Sequence, residues 1–230
     1  MLVQPHALTI PIANWTAWDA GQAEKNEKPD VSFVEPMLRR RLSPLARIAL
    51  CAAHRCAGNL PSVRFVYASR HGELDRTLEL LQSLASNEPL SPTTFGLSVL
   101  NASAGLYSIL RGDQAPATAI AAGPETFTFG LIEACSRAFA EPGLPVLYVY
   151  ADAPAPAPFG PLADDPADLL AIALLIDSMQ AKRQLNVTFM PNSSNEVSPM
   201  PQATAFLASI TDASASAWAG AQRCWQWNWQ

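Results

Sequence analysis

The stretch PATAIAAGPETFTFGLIEA, Pro116 to Ala134, decides how the chain is read. Its first part, Ala117 to Ala122, has the small and apolar character of a buried strand. Gly123-Pro124 punctuates it as a sharp corner, and from Thr126 the sequence turns helical. A tight strand-to-helix turn holds one side chain proud of a sheet, a placement that suits a nucleophile. Here the corner carries Gly123, Pro124, Glu125 and Thr126, an elbow whose nucleophile has been left out.

Outward from the elbow the chain alternates strand and helix, which makes the fold class α/β. On its N-terminal side, ALTIPIANW reads as a first strand and loop, and VRFVYAS, Val63 to Ser69, as a short buried strand. A helix is expected from Pro44, with Ser43 as its N-cap and proline in its first turn. GELDRTLELLQSLAS reads as an amphipathic helix with Leu74, Leu78, Leu81 and Leu84 along one side. SPTTFGLSVLNASAGLYSILRG comes next as one apolar helical region, rich in small residues. Beyond the elbow, VLYVYAD and LLAIALLID read as buried strands, separated by the Pro/Ala-rich loop APAPAPFGPLADDP. From residue 186, NVTFMPNSSNEVSPMPQ reads as a polar connector. The tail opens as a helix and ends with Trp225, Trp227 and Trp229 at alternate positions, one face of an extended segment tied to its own domain or to a partner. The expected division is therefore 1–185 as the main body and 186–230 as connector and tail.

The 230 residues can bury one sizeable core, and a hydrophobic fraction of 49% with 15% charged residues fits a well-buried globular protein. No apolar run is long enough to cross a bilayer. The first residues lack a basic n-region, so no leader is expected, and the four cysteines form no disulfide-like framework. A soluble cytoplasmic protein is the expectation. Between Pro36 and Gly72 there is no carboxylate, whereas Arg39, Arg40, Arg41, Arg47, Arg55, Arg64 and Arg70 all lie there. A solvated Arg face is the simpler reading, a docking site for an acidic partner the other. Nucleic acid fits poorly with a net charge of −5 and no binding motif.

Each other candidate for chemistry meets a plainer reading. Cys51, His54 and Cys56 in CAAHRC lack a second pair to complete four zinc ligands, and buried helix cysteines are expected instead. Ser69, His71 and Asp75 in SRHGELD are neighbours on one turn, whereas a triad converges from separate elements. Cys135 stands among apolar residues and reads as a packing thiol. GPETFTFG lacks the spacing and the lysine of a P-loop. The three histidines are His6, His54 and His71, so none lies beyond His71.

With these elements in order, the sequence resembles the N-terminal half of a β-ketoacyl synthase, and within that family the truncated, chain-length-factor-like group of aryl-polyene type biosynthesis. The resemblance covers roughly Val31 to Asp177. Asn101, Gly105, Gly112 and Pro116 match the family's Asn, Gly, Gly and Pro without a gap, and Ala134 matches an Ala of the helix beyond the elbow. In that register the family's catalytic Cys falls on Pro124, and Thr126 on a nearby small-hydroxyl position.

The resemblance implies a thiolase-like fold, N-terminal half only, with a mixed five-stranded sheet covered by helices and without the C-terminal half-domain. Pro124 offers neither a thiolate nor a backbone N–H, and the family's two histidines have no counterparts. The role implied by the resemblance is a catalytically silent partner of an active β-ketoacyl-ACP synthase, with neither cofactor nor metal and an acyl carrier protein as a further expected partner. Phe95, Val99, Asn101, Ala117, Ala119, Ile120 and Ala122 are the expected interface, and His71, Asp75 and Leu78 the expected floor of an acyl tunnel. The alternative is a free-standing hydrolase or acyltransferase using Ser69 or Cys135 with His71. A third reading is a homodimer that pairs Ala117–Ala122 with itself.

Overall fold

The computed structural model describes residues 6–21, 27–160, 162, 165–194, 196–212 and 216–230. The first five residues, on which the expectation about a leader partly falls, lie outside the described residues, as do 161, 163 and 164 of the Pro/Ala-rich loop. Among the described residues one mixed sheet of eight strands runs in the order β3-β2-β4-β5-β1-β6-β8-β7, where five strands were expected. β2 (Arg64–Ala68), β3 (Ala117–Ile120) and β4 (Val146–Asp152) are mutually parallel. β5 (Leu170–Ile176), β1 (His6–Asp19), β6 (Arg183–Pro191), β8 (Arg223–Trp229) and β7 (Ser216–Ala219) continue it antiparallel.

The three extra strands come from the segment that composition marks as connector and tail. Leu185 and Val187 are fully buried while Asn186 and Thr188 are not. The polar residues are thus the outer half of an alternating strand, not a loop. β6 crosses the 185/186 division without a break. Trp225 and Trp227 of β8 are fully buried on one face, as their alternation predicts.

Helices cover both faces. α2 (Pro44–Ala57) and α5 (Ala102–Arg111) pack one core against the sheet, with Phe65, Tyr67, Leu147 and Val149 inward. α6 (Thr126–Ala140) and α7 (Gln202–Asp212) pack the other, against Val66, Tyr148, Ile172 and Trp227. Ser43 caps α2 as expected, its Oγ accepting from Ala46 N at 2.9 Å, and Gly58 ends that helix at φ +54°. α6 has no glycine cap. The guanidinium of Arg64, 2% exposed, donates to the Arg137 and Glu141 carbonyls at its end.

Two expectations about helices change. The 91–112 region divides into α4 (Pro92–Gly96) and α5, interrupted where Gly96, Ser98 and Asn101 weaken helical propensity. α3 (Leu74–Ala85) is amphipathic as its leucines imply, yet none of its residues is buried. Part of the basic run is engaged within the chain, while Arg40, Arg41 and Arg55 are exposed. Arg39 donates to the Ser32 and Val34 carbonyls, Arg47 to the Arg39 carbonyl, and Arg70 pairs with Asp165.

Candidate functional site

The parallel strands β2, β3 and β4 end side by side, and the elbow, the SRHG turn and Asp152 leave from their carboxyl ends. Such an edge of an open α/β sheet is where sites form. Ser69 N donates to Ile120 O at 3.2 Å, stitching the SRHG turn to the base of the elbow.

The elbow is present and intact. Gly123 adopts φ +59°, and a Cβ there would meet nothing within 4 Å, so it is backbone conformation and not crowding that calls for glycine. Thr126 Oγ1 accepts from Ala122 N at 2.8 Å and donates to Gly123 O at 2.7 Å, which occupies its hydroxyl inside the turn. α6 sits close behind because of Gly130, whose Cβ would fall 2.7 Å from Ala68 Cβ and 2.8 Å from Tyr148 Cε2. Ala121 to Pro124 are exposed, so the corner faces outward with a proline at its tip.

The strand beneath the elbow is not buried. It covers Ala117–Ile120 rather than Ala117–Ala122, and it is an edge strand with Ala117 exposed. Small residues suit a sheet edge awaiting a neighbour as well as they suit a core, so composition alone does not separate the two. Pro116 O and Ile120 O bond to Phe65 N and Ser69 N of the β2 side. By the alternation of a parallel ladder, Ala117, Ala119 and Ala121 direct their peptide groups away from β2. Among the expected interface residues, Phe95 is 60% and Val99 43% exposed, and Asn101 and Ala122 are exposed. Ala119 and Ile120 are half-buried and pack against opposite cores. Ile109 of α5 is a further uncovered apolar side chain, 74% exposed.

His71 and Asp75 line a cavity of about 350 Å³ beside the SRHG turn, with Arg40, Arg41, Leu97 and Pro154 in its wall. Leu78 is not among its lining residues. Neither Ser69 nor Cys135 meets His71 there; the hydroxyl and carboxylate that do meet in its wall are those of Ser43 and Glu73, at 2.8 Å. Ser69 is fully buried, its Oγ donating to Asp152 Oδ1 at 3.2 Å and accepting from Gly72 N at 2.9 Å. His71 Nε2 lies 2.7 Å from Asp165 Oδ1, turned to a carboxylate instead of to a hydroxyl. Asp152 also accepts from Arg70 N, His71 N and the Tyr150 hydroxyl, and burial pushes its carboxyl above the usual range. Cys135 is buried in the core beneath α6, where desolvation pushes its thiol up to about 11. Cys51 and Cys56 are buried, and His54 stacks on Phe33 at 3.9 Å.

One contact at the corner was invisible along the chain. Glu125 is 9% exposed and receives Trp225 Nε1 at 2.9 Å and Arg223 Nη1 at 3.3 Å. The available signal is the tail's paired tryptophans with a lone arginine before them, and it names no partner.

Comparisons agree with this geometry. The chain is similar to a solved structure described as the ketosynthase ApeO in complex with its chain length factor ApeC, from Xenorhabdus doucetiae. The TM-score is 0.82 at 28% identity, over 96% of this chain and 99% of that one. A beta-ketoacyl synthase from Burkholderia phymatum matches at TM-score 0.52 and 12% identity, over 74% of this chain and 52% of that one. Ketosynthase twelve of the bacillaene polyketide synthase of Bacillus amyloliquefaciens matches at TM-score 0.54 and 12% identity, over 89% and 49%. These last two likenesses show the fold alone, and this chain spans about half their length. No curated protein matches. The family described as beta-ketoacyl synthase, N-terminal domain, matches residues 15–230. That match takes in the elbow, the parallel strands that carry it and the tryptophan tail, and this chain belongs to the beta-ketoacyl synthase N-terminal domain family.

Proposed function

We propose that this chain is a catalytically silent, chain-length-factor-like subunit that docks on an active β-ketoacyl-ACP synthase and helps shape its acyl tunnel, in polyene, polyketide or fatty-acid-like biosynthesis. The observation that carries the reading is an intact elbow with Pro124 at its exposed tip, set on an edge strand whose outward peptide groups lie open. Condensation needs a thiolate, an oxyanion donor and a proton-handling group. Pro124 supplies neither of the first two, and no histidine lies beyond His71.

Support for a partner comes from the end-to-end match. The chain matched in the ApeO–ApeC complex is of this chain's own length, whereas the two ketosynthases above are about twice as long. We read the half-length member of that pair as its chain length factor. β3 would add to the ketosynthase's sheet through Ala117, Ala119 and Ala121, a docking mode in which main-chain bonds supply affinity. Phe95, Val99, Asn101 and Ala122 would flank that seam. The cavity lined by His71 and Asp75 would adjoin the partner's tunnel, with Leu78 on the same helix. Of the basic run, exposed Arg40 and Arg41 would be the residues to meet an acidic acyl carrier protein. The cytoplasm is the matching compartment for a chain whose four cysteines are free.

The test is co-expression with the full-length ketosynthase of the same biosynthetic system, then size-exclusion and malonyl-condensation assays of each chain alone and of the pair. A stable complex whose activity depends only on the ketosynthase's cysteine is expected. Pro124→Cys should leave the isolated chain inactive, because the histidines are missing too. Condensation by the isolated chain, or no complex, overturns the reading.

A further inference from the structure

The corner of the elbow is held by the far end of the chain. Glu125 precedes α6, so its carboxylate sits in the favourable field of a fifteen-residue helix's N-terminus. Two donors of β8 close on it. Trp225 Nε1 reaches Oε2 at 2.9 Å, and Arg223 Nη1 lies 3.3 Å from Oε1. Both side chains also rest on the first turn of α6. The Arg223 guanidinium stands 5.3 Å over the Phe129 ring, and Trp225 meets that ring edge-on at 5.5 Å.

We infer that Glu125 is a positioning residue, gripped by the tail strand so that the exposed corner keeps the shape a partner meets. The part of this concerning the partner rests on the docking reading above. The hold falls at the one place where geometry is otherwise local. On one side of the tip, Ser69 N fixes Ile120. Inside the turn, Thr126 Oγ1 bonds to Ala122 and Gly123. Between those contacts Ala121 to Pro124 project into solvent, and the first residue after them anchored to another element is Glu125. Trp225 and Arg223 therefore transmit the position of β8 to the peptides beside the docking edge. Trp227 shares the strand and the burial, packing edge-on to Phe206 at 5.6 Å, and makes no hydrogen bond to the corner.

The experiment uses the full chain with the co-expressed ketosynthase and three variants. Glu125→Ala removes the grip, Glu125→Gln keeps an acceptor for Trp225 while losing the ion pair, and Trp227→Phe perturbs β8 without touching the corner. Amide exchange at Ala121, Ala122, Gly123, Glu125 and Thr126 is read in the free chain, and the dissociation constant is read for the complex. Glu125→Ala is expected to speed corner exchange at least about tenfold and to weaken the complex about tenfold, with Glu125→Gln between it and wild type. Trp227→Phe is expected to lower the melting temperature and leave both readings unchanged. Unchanged corner exchange in Glu125→Ala, or equal weakening by Trp227→Phe, overturns the inference. Should Glu125→Ala fail to fold, Glu125→Gln carries the same comparison. If the wild-type chain forms no complex, the docking reading falls, and corner exchange alone decides the role of Glu125.

Discussion

At one end of the sheet, Ala117 and Ala119 of β3 and Ala121 just after it turn their peptide groups outward, and among the described residues no strand lies beyond β3. At the other end, β7 is stopped. Ser198 N donates to Ala219 O at 2.8 Å, and Ala219 N donates back to Ser198 Oγ at 2.8 Å. Trp218 folds its ring over Gly220, where a Cβ would fall 2.7 Å from the ring, and its indole N–H bonds to Met200 O. An unprotected edge invites pairing with whatever strand arrives, and proteins ordinarily block it. One chain seals one edge with a loop and a tryptophan and leaves the other bare, and the proposed docking reading takes the bare one, with exposed Phe95 and Val99, as the surface to be used.

The largest effect should come from opening the sealed edge. Trp218→Ala empties a site 2% exposed, and loss of a buried tryptophan costs about 3–5 kcal/mol. Calorimetry should show that loss, and sedimentation should show new concentration-dependent association through β7. A destabilised chain with unchanged association would mean that the loop alone seals the edge.

Closing the open edge comes next. Ala119→Pro removes an outward donor, and an edge strand tolerates proline where its N–H faces away from the sheet. Losing that one main-chain bond, worth ~1–1.5 kcal/mol, weakens ketosynthase binding roughly 5–12-fold. The melting temperature should change little. Ala119 is the better probe than Ile120, which also packs against the core beneath α6. Unchanged binding by titration calorimetry would move the interface off β3.

The smallest effect sharpens the seal. Ser198→Ala removes one acceptor, for about 1 kcal/mol, and should speed thiol labelling of half-buried Cys224 a few-fold. Cys135, its thiol pushed up to about 11 by burial, should stay unlabelled in the folded chain at neutral pH. Mass spectrometry after brief alkylation separates the two.

What the sequence made legible was whatever is decided locally. VLYVYAD is a strand from Val146 to Asp152, buried throughout, because continuous apolar runs mark strands covered on both faces. Ser43-Pro44 announces the start of α2 through chemistry confined to four residues. The corner at Gly123 is legible for the same reason. β6 was not, because its assignment depends on His6 to Ile12 of β1, more than a hundred residues earlier. The exposure of Ala117 and of the α3 leucines was hidden too, since apolar composition records that a surface wants covering and not which chain covers it. The grip on Glu125 joins residues 100 apart, so neither end carries a local mark.

β1 pairs with β5 through Ile12 to Asp19 and with β6 through His6 to Ile12, so a single strand bridges the elbow half of the sheet and the tail half. That position has a consequence in time. His6 pairs with Phe189, and a ribosome adding roughly 5–20 residues per second needs on the order of 10–40 s to make one after the other. The parallel strands β2, β3 and β4 can meet before β6 emerges, whereas the His6–Ile12 half of β1 must wait for it. The nascent chain thus displays its docking edge before its sealed one exists, and a partner present during translation would find β3 ready first.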